Sequence, residues 1–325
     1  MKAIVATKFG SPEVLKFVEF EKPTPKDNEI LVKVRATPVN VGDSRMRSLD
    51  VPAIAWLPAR MAIGFSKPKN PIYGMELAGE VEAVGKAVKR FKVGDQVLAS
   101  TMKEKFGAHA EYKCLPEDGV VVTKSINMSY EEAATLSIGA STALYFLRKA
   151  NIQPGQKILI IGASGSIGTF AVQLAKYFGA EVTGVCSTVN IDLVKSLGAD
   201  KVIDYTQKDF TSNGETYDVI FDTVYKTTFS RCKSLLVNGG YYLTVGPVVL
   251  GPIHLMTTGK KVIGGNAAQS AEQLDFLKKL YEMDRLKPVI DRCYPLEQAA
   301  EAHRYVDQGH KKGNVVLTLK PNGLT

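Results

Sequence analysis

Ala163, Gly165 and Gly168 stand at the three places of a dinucleotide fingerprint in the stretch IIGASGSIGTFAVQLAK (160–176), with alanine in the first glycine's slot. Gly165 permits the backbone to approach a pyrophosphate, and Gly168 allows a helix to pack tightly on the preceding strand. The N-terminus of that helix offers unpaired N–H groups and the positive end of a dipole to phosphate oxygens. A glycine-rich turn without a ligand is the alternative, and the flanking apolar strand and helical pattern weigh for a nucleotide. The choice of nucleotide falls to the end of the next strand, about 20 residues on, where an acid would hold the ribose hydroxyls of NAD. That place reads CSTVNID, so Ser187 and Thr188 replace the acid, and the first carboxylate, Asp192, is already inside a helix. Hydroxyls donate to a 2′-phosphate where a carboxylate would repel it, which favours NADP(H) over NAD(H). No Arg or Lys occupies 188–190 to strengthen that preference.

Other chemistries have less support. Cys114, Cys186, Cys232 and Cys293 lie far apart with no C-x-x-C pair, which argues against a zinc knuckle or a disulfide framework. Buried inert thiols are expected at all four. His109, His254, His303 and His310 include no pair at metal-ligand spacing, so no metal site is expected. The net charge of +8 comes from scattered lysine pairs such as Lys260 and Lys261, not from a basic, aromatic-interleaved stripe. Nucleic acid is therefore not an expected partner, and the charge suits an anionic cofactor. No apolar run approaches the roughly 20 residues of a membrane span. MKAIVATKFG lacks a long apolar leader core, and cytoplasmic residence is expected by default.

The elements that must position these residues fall into two groups. AIVAT (3–7), EILVKVRAT (29–37), ELAGEVEAVG (76–85) and DQVLAS (95–100) are β-rich pieces separated by prolines and glycines, the pattern of a compact barrel-like domain. The connection 44–72, carrying Trp56 and Phe65, exceeds an ordinary loop. The pattern then changes. Ser129 and Glu132 form a capping-box signature that opens a helical run through LRKA. KILIIG, EVTGVC, KVID, YDVIFD and GYYLTVG alternate with helical segments, which predicts a parallel, doubly wound sheet. After SAEQLDFLKKLYEM, strand-like KPVIDRCYPL and NVVLTL return to the first domain. The expected division is 1–123 with 288–325 for the barrel and 124–287 for the nucleotide domain.

These stretches resemble the zinc-independent medium-chain dehydrogenase/reductase family of the quinone oxidoreductase (zeta-crystallin-like) type. GQKILIIGASGSIGTFAVQLAK, with Gln173 and Lys176, fits that subfamily's signature, departing at Ser166 where a second glycine is usual. PEVLKFVE, the run Asn40, Asp43 and Arg47, GMELAGEVEAVG, FGAHAEY and KKGNVVL extend the match over essentially the whole length. The resemblance implies an α/β fold: a Rossmann nucleotide domain plus a GroES-like β-barrel catalytic domain. Zinc-dependent relatives carry ligands where this chain has Asn40 or a near neighbour, Met75 and Ile138, so metal-free chemistry is implied.

By position, the resemblance implies cofactor contacts from Thr142, Ala163, Ser164, Gly165, Ser166, Ile167 and Gly168 at the phosphates. Ser187 and Tyr205 would flank the adenosine phosphate; Thr223, Val245 and Gly246 would line the nicotinamide ribose or ring. Asn314 and Val189 stand where relatives often carry a basic residue, and Asn314 is retained as a cofactor contact. The implied reaction is hydride transfer from NADPH to a quinone, enone or alkenal. Asn40 is a candidate donor to the substrate oxygen and a cofactor contact, or else a turn residue. Tyr73 is a candidate proton donor, or else a core or lip tyrosine. Asp43 and Arg47 are expected to form a structural ion pair, and His109 to be structural. Trp56 and Phe65 wall the pocket or anchor the long connection. A zinc alcohol dehydrogenase and a non-catalytic NADPH-binding sensor or lens-type protein are the alternatives. A homodimer is the expected assembly.

Overall fold

The computed structural model describes residues 1–49, 53–246 and 259–319. The chain divides into two units: Met1–Ile138 with Ser270–Lys278 and Ile290–Thr325, and Gly139–Gln269 with Lys279–Val289.

In the first unit β1 (Lys2–Ala6) and β2 (Leu15–Glu19) form an antiparallel pair. A larger sheet is built around β3 (Glu29–Pro38), which pairs with β4 (Glu76–Val84); β4 continues to β5 (Gln96–Ser100). β6 (Tyr112–Pro116) also pairs with β3, and β7 (Val121–Thr123) pairs with β5. Alternation sets which face of β3 is inside: Ile30, Val32 and Val34 pack with Leu77, Val81, Val97 and Leu115 in one core cluster. The C-terminal strands do return here, with β15 (Asn314–Thr318) antiparallel to β3 and β14 (Ile290–Pro295) parallel to β15.

Much of the long connection is helical, which its proline content concealed, while residues 64–72 are irregular. α1 spans Val41–Ser48, and α2 spans Ala53–Ile63 with Pro58 inside it. The helix formers Ala, Leu, Met and Arg around Pro58 carry α2 through a residue that reads as a break.

The second unit holds a parallel sheet ordered β10-β9-β8-β11-β12-β13. Its strands are β8 (Lys157–Ile161), β9 (Glu181–Cys186), β10 (Lys201–Asp204), β11 (Tyr217–Asp222), β12 (Leu236–Thr244) and β13 (Lys261–Gly264). This is the Rossmann order, whose direction of winding reverses between β8 and β11; ligands bind outside the carboxyl ends of strands at such a point. KILII reads as an unbroken apolar run because both faces of β8 are covered, leaving Ile158, Leu159 and Ile160 with no exposure.

The helical run after Ser129 is divided. α3 (Tyr130–Ala134) carries the expected capping box, a π-turn spans Leu136–Ala140, and α4 (Ser141–Lys149) follows. Gly139 explains the break. A Cβ there would lie 2.7 Å from Ser166 Oγ and 3.2 Å from the Phe170 ring, so the widened turn lets backbone press onto α5 (Ser166–Tyr177).

Candidate active site

The nucleotide loop begins where β8 ends. Gly162 takes φ +79°, and its N–H and that of Ala163 both donate to Val185 O, at 3.1 and 3.0 Å. Two glycines of the fingerprint are then distinguished by their surroundings. A Cβ on Gly168 would fall 2.0 Å from Gly162 O, so the fold itself requires glycine there. A Cβ on Gly165, the N-cap of α5, would meet nothing closer than Gly162 O at 3.4 Å. The backbone at Gly165 is thus open to an approaching group, which is the fit a pyrophosphate requires. Ser166 and Ile167 are the first residues of α5. Contact at Gly139 brings the start of α4, with Thr142 buried at its second position, beside the start of α5. The N-terminus of α5, which starts from an extended Gly165, faces this loop and favours negative charge.

The adenosine end contains residues that sequence spacing did not reveal. Asn190 Nδ2 donates to Ser164 Oγ at 3.1 Å and to Ser187 Oγ at 3.2 Å, tying the glycine loop to the end of β9. Thr188 Oγ1 donates to Asp204 Oδ2 at 2.5 Å, and Thr206 donates to Asp204 Oδ1 through both N–H (2.9 Å) and hydroxyl (2.7 Å). Those donors, Thr188 first, hold the Asp204 carboxyl below its usual range. A carboxylate therefore stands beside Thr188 after all, contributed by the neighbouring strand and not by CSTVNID. Tyr205 follows it, half exposed, its N–H on Cys186 O at 3.1 Å.

Beyond β11, Thr223 Oγ1 donates back to Ile161 O at 2.8 Å and so steadies the end of β8. Buried Asp222 accepts from the N–H groups of Val224 (3.1 Å) and Thr227 (3.1 Å), which fixes the turn after the strand. Val245 and Gly246 follow β12, and Gly246 lies directly against the Tyr225 ring.

In the first unit a second set of polar residues gathers around Asn40, the N-cap of α1. Asn40 Nδ2 donates to Glu76 Oε1 at 3.0 Å, and Glu76 Oε2 accepts from Ile138 N–H at 2.7 Å. Glu76 is fully buried, and that burial pushes its carboxyl up to about 8 against the pull of these two donors. The sequence reading passed over Glu76; it shares its strand with Glu80 and Glu82 and alternates with the core residues Leu77 and Val81, so the pattern of β4 does not single it out. Asp43 accepts from Asn40 N–H (2.9 Å) and Gly74 N–H (3.0 Å), and burial raises its pKa.

The expected Asp43–Arg47 ion pair is not formed. Arg47 turns instead to Asp307, to Gly10 O and to His303 Nδ1, while Asp43 is occupied by backbone donors. Spacing of four on a helix permits such a pair, but the capping geometry of α1 claims the acid first. Tyr73 is 4% exposed within an apolar cluster that includes Ile4, Val39 and Leu317, and burial raises its phenol. His109 Nε2 meets Pro38 O at 3.0 Å, a structural contact. Lys311 is brought down to about 8 by burial, opposed by Asp291 and Glu76. Asn314, the first residue of β15, is buried. Trp56 and Phe65 remain exposed at 46% and 59%, which does not fit an anchor of the connection.

Asn40 (or a near neighbour), Met75 and Ile138, which the resemblance sets at the zinc-ligand positions, present an amide, a thioether and an alkyl chain. Met75 packs its terminal methyl against Gly42, while Ile138 offers Glu76 only its N–H. That donor set does not suit zinc, and among the described residues no group of three His, Cys, Asp or Glu could hold a metal ion.

A Rossmann sheet with an open glycine loop, accompanied by a GroES-like β unit, defines a nicotinamide-type dehydrogenase fold. Residues 26–125 match the family described as alcohol dehydrogenase GroES-like domain, and residues 197–317 match zinc-binding dehydrogenase. The chain is 35% identical to quinone oxidoreductase of Sus scrofa, over 96% of this chain and 95% of the relative. It is 30% identical to the chloroplastic NADPH-dependent alkenal/one oxidoreductase of Arabidopsis thaliana, over 98% and 79% respectively. The solved quinone oxidoreductase of Coxiella burnetii superposes with a TM-score of 0.88 at 28% identity, covering 98% of this chain and 99% of that one. The chain belongs to the medium-chain dehydrogenase/reductase family, quinone oxidoreductase type, and is an oxidoreductase.

Proposed function

We propose that the protein is an NADPH-dependent, metal-free reductase of quinones or of enones and alkenals. The observation that carries the reading is the open approach to the Gly165 backbone at the N-terminus of α5, in a chain whose relatives include a quinone oxidoreductase and an alkenal/one oxidoreductase. Ala163, Ser164, Gly165, Ser166, Ile167, Gly168 and Thr142 would hold the phosphates, with Ser187 and Tyr205 at the adenosine end. Thr223, Val245 and Gly246 would hold the nicotinamide half, and Asn40 and Asn314 belong to the same cofactor assignment. When bound, the nicotinamide supplies the hydride.

The protein's own contribution is position and charge. Asn40 Nδ2 donates to Glu76, and the Asn40 amide also acts on the Asp43 carboxyl. That amide, so held, would donate to the acceptor oxygen as negative charge develops on it. Glu76, neutral at pH 7 because of its burial, orients that amide without adding a charge that would oppose the developing one. Tyr73 would be the proton donor of the same site, and its burial, which raises the phenol, makes it the weaker candidate.

The preference for NADPH over NADH is expected to be modest, because Asp204 occupies the Thr188 hydroxyl and adds a negative charge beside the 2′-phosphate position. The reading also takes the protein to be cytoplasmic and a homodimer; among the described residues β13 is an edge strand of the parallel sheet.

The test is nicotinamide oxidation with a panel of quinones, enones and alkenals, NADPH and NADH in parallel. Turnover with NADPH is expected, slowed roughly 10- to 1,000-fold in Asn40→Ala with little change in cofactor affinity. Binding of NADPH with no turnover on any acceptor would favour the sensor reading instead.

A further inference from the structure

Asn190 closes the short turn after β9 and is the N-cap residue of α6 (Ile191–Ser196), yet its side chain makes no capping bond there. An asparagine at that place ordinarily offers its carbonyl oxygen to the first N–H groups of the helix. Here the amide turns toward the glycine loop. Nδ2 donates to Ser164 Oγ at 3.1 Å and to Ser187 Oγ at 3.2 Å, one for each of its N–H bonds. The backbone N–H adds a bond to Ser187 O at 2.9 Å. Asn190 is 6% exposed, and its Oδ1 is buried with no hydrogen-bond partner among the described residues. Turning the amide over would put both N–H bonds at that unpartnered place. Two orphaned donors cost more than one orphaned acceptor, which sets the amide as described.

A serine hydroxyl has one proton and two lone pairs. With a lone pair of each occupied by Asn190, the protons of Ser164 and Ser187 point away from the amide. We propose that Asn190 is a positioning residue of the cofactor site, which turns the hydroxyls of Ser164 and Ser187 into donors for the phosphates. The proposal rests on the functional reading, which assigns both serines to the NADPH phosphates. A phosphate oxygen only accepts, so a hydroxyl serves it only when its proton faces outward. Fixing that direction beforehand removes part of the ordering cost of binding. One side chain does this for two places: Ser164 in the loop assigned to the phosphates that both nicotinamides share, and Ser187 at the 2′-phosphate of NADPH alone. The neighbouring Thr188 hydroxyl is spent on Asp204, which leaves Ser187 as the donor at the end of β9.

Dissociation constants for NADPH and NADH test this role in the wild type, in Asn190→Ala, and in Asn190→Ala placed on a Ser164→Ala, Ser187→Ala background. Loss of the amide is expected to weaken NADPH roughly 5- to 30-fold, and NADH less, because NADH lacks the phosphate assigned to Ser187. On the double-serine background the same substitution should change neither constant, since the hydroxyls through which it acts are gone. A residue that merely held the fold would cost as much there as in the wild type. Asn190→Asp is the second variant. A carboxylate has no proton to give, so both serines donate to it and are withdrawn from the phosphates, while Asp remains a favourable N-cap for α6. It should keep the wild-type melting temperature and weaken NADPH at least as much as alanine does. Wild-type NADPH affinity in either folded variant, an equal loss for the two nicotinamides in Asn190→Ala, or an undiminished loss on the double-serine background overturns the positioning role and leaves the functional reading intact. Failure of the wild type to bind NADPH overturns the functional reading, and the positioning role with it.

Discussion

Glu76 and Asp204 are single carboxyl groups with opposite settings, and each yields a measurement. Glu76 is buried and holds its proton to about pH 8, whereas the same group in the unfolded chain releases it near 4.5. Between those values the folded state binds more protons than the unfolded one, so stability falls as pH rises through that window and levels off above it. One such group contributes a slope of at most about 1.4 kcal/mol per pH unit. Chemical denaturation of wild type and Glu76→Gln from pH 5 to 8 should show this component in the first and its loss in the second. Asp204 acts on selectivity. Its carboxylate faces Thr188 and Thr206 at the place expected for the adenosine 2′-phosphate. Asp204→Asn should raise the ratio of NADPH to NADH affinity several-fold, and Ser187→Asp should reverse it, as read by the two dissociation constants. An unchanged ratio in both variants would remove the adenosine end from cofactor choice.

At the scale of elements, the glycine loop separates what the fold needs from what the ligand needs. Gly168 holds α5 against β8, and a methyl group there would collide with Gly162 O at 2.0 Å. Gly168→Ala should therefore lower thermal stability by several degrees and weaken cofactor binding together. Gly165 has no such neighbour, its nearest contact being 3.4 Å away. Gly165→Ala should leave the melting temperature close to that of the wild type and weaken NADPH at least tenfold, because only the ligand would meet the added methyl. A parallel loss of stability in both variants would show that Gly165 is also a packing residue. The π-turn at Leu136–Ala140 belongs to the same design, since it sets the start of α4 beside the start of α5.

For the whole molecule, strand order places the glycine loop at the reversal between β8 and β11, and β14 and β15 close the first unit's sheet from the far end of the chain. Asn40 (or a near neighbour), Met75 and Ile138 are the residues that the family resemblance sets at zinc-ligand positions, and Asn40, Met75 and Ile138 are engaged in packing or hydrogen bonds of their own. Activity should consequently survive exhaustive chelation. Stoichiometric zinc whose removal abolishes turnover, seen by metal analysis beside the assay, would return the protein to the zinc-dependent class.

The residue order alone determined the alternation of strands and helices in the second unit and the fingerprint at Ala163, Gly165 and Gly168. These are local signals, because apolar periodicity, capping residues and glycine spacing act within a few turns of chain. Tertiary structure decided what lies between distant segments. Asp204 reaches Thr188 only because β10 pairs with β9, and Arg47 abandons Asp43 only because Asp307 and His303 are brought to it. Glu76 finds Asn40 across 36 positions of sequence, and Tyr225 meets Gly246 because β11 and β12 run side by side. No spacing rule encodes those pairings, since each depends on which strand the folded sheet sets next to which.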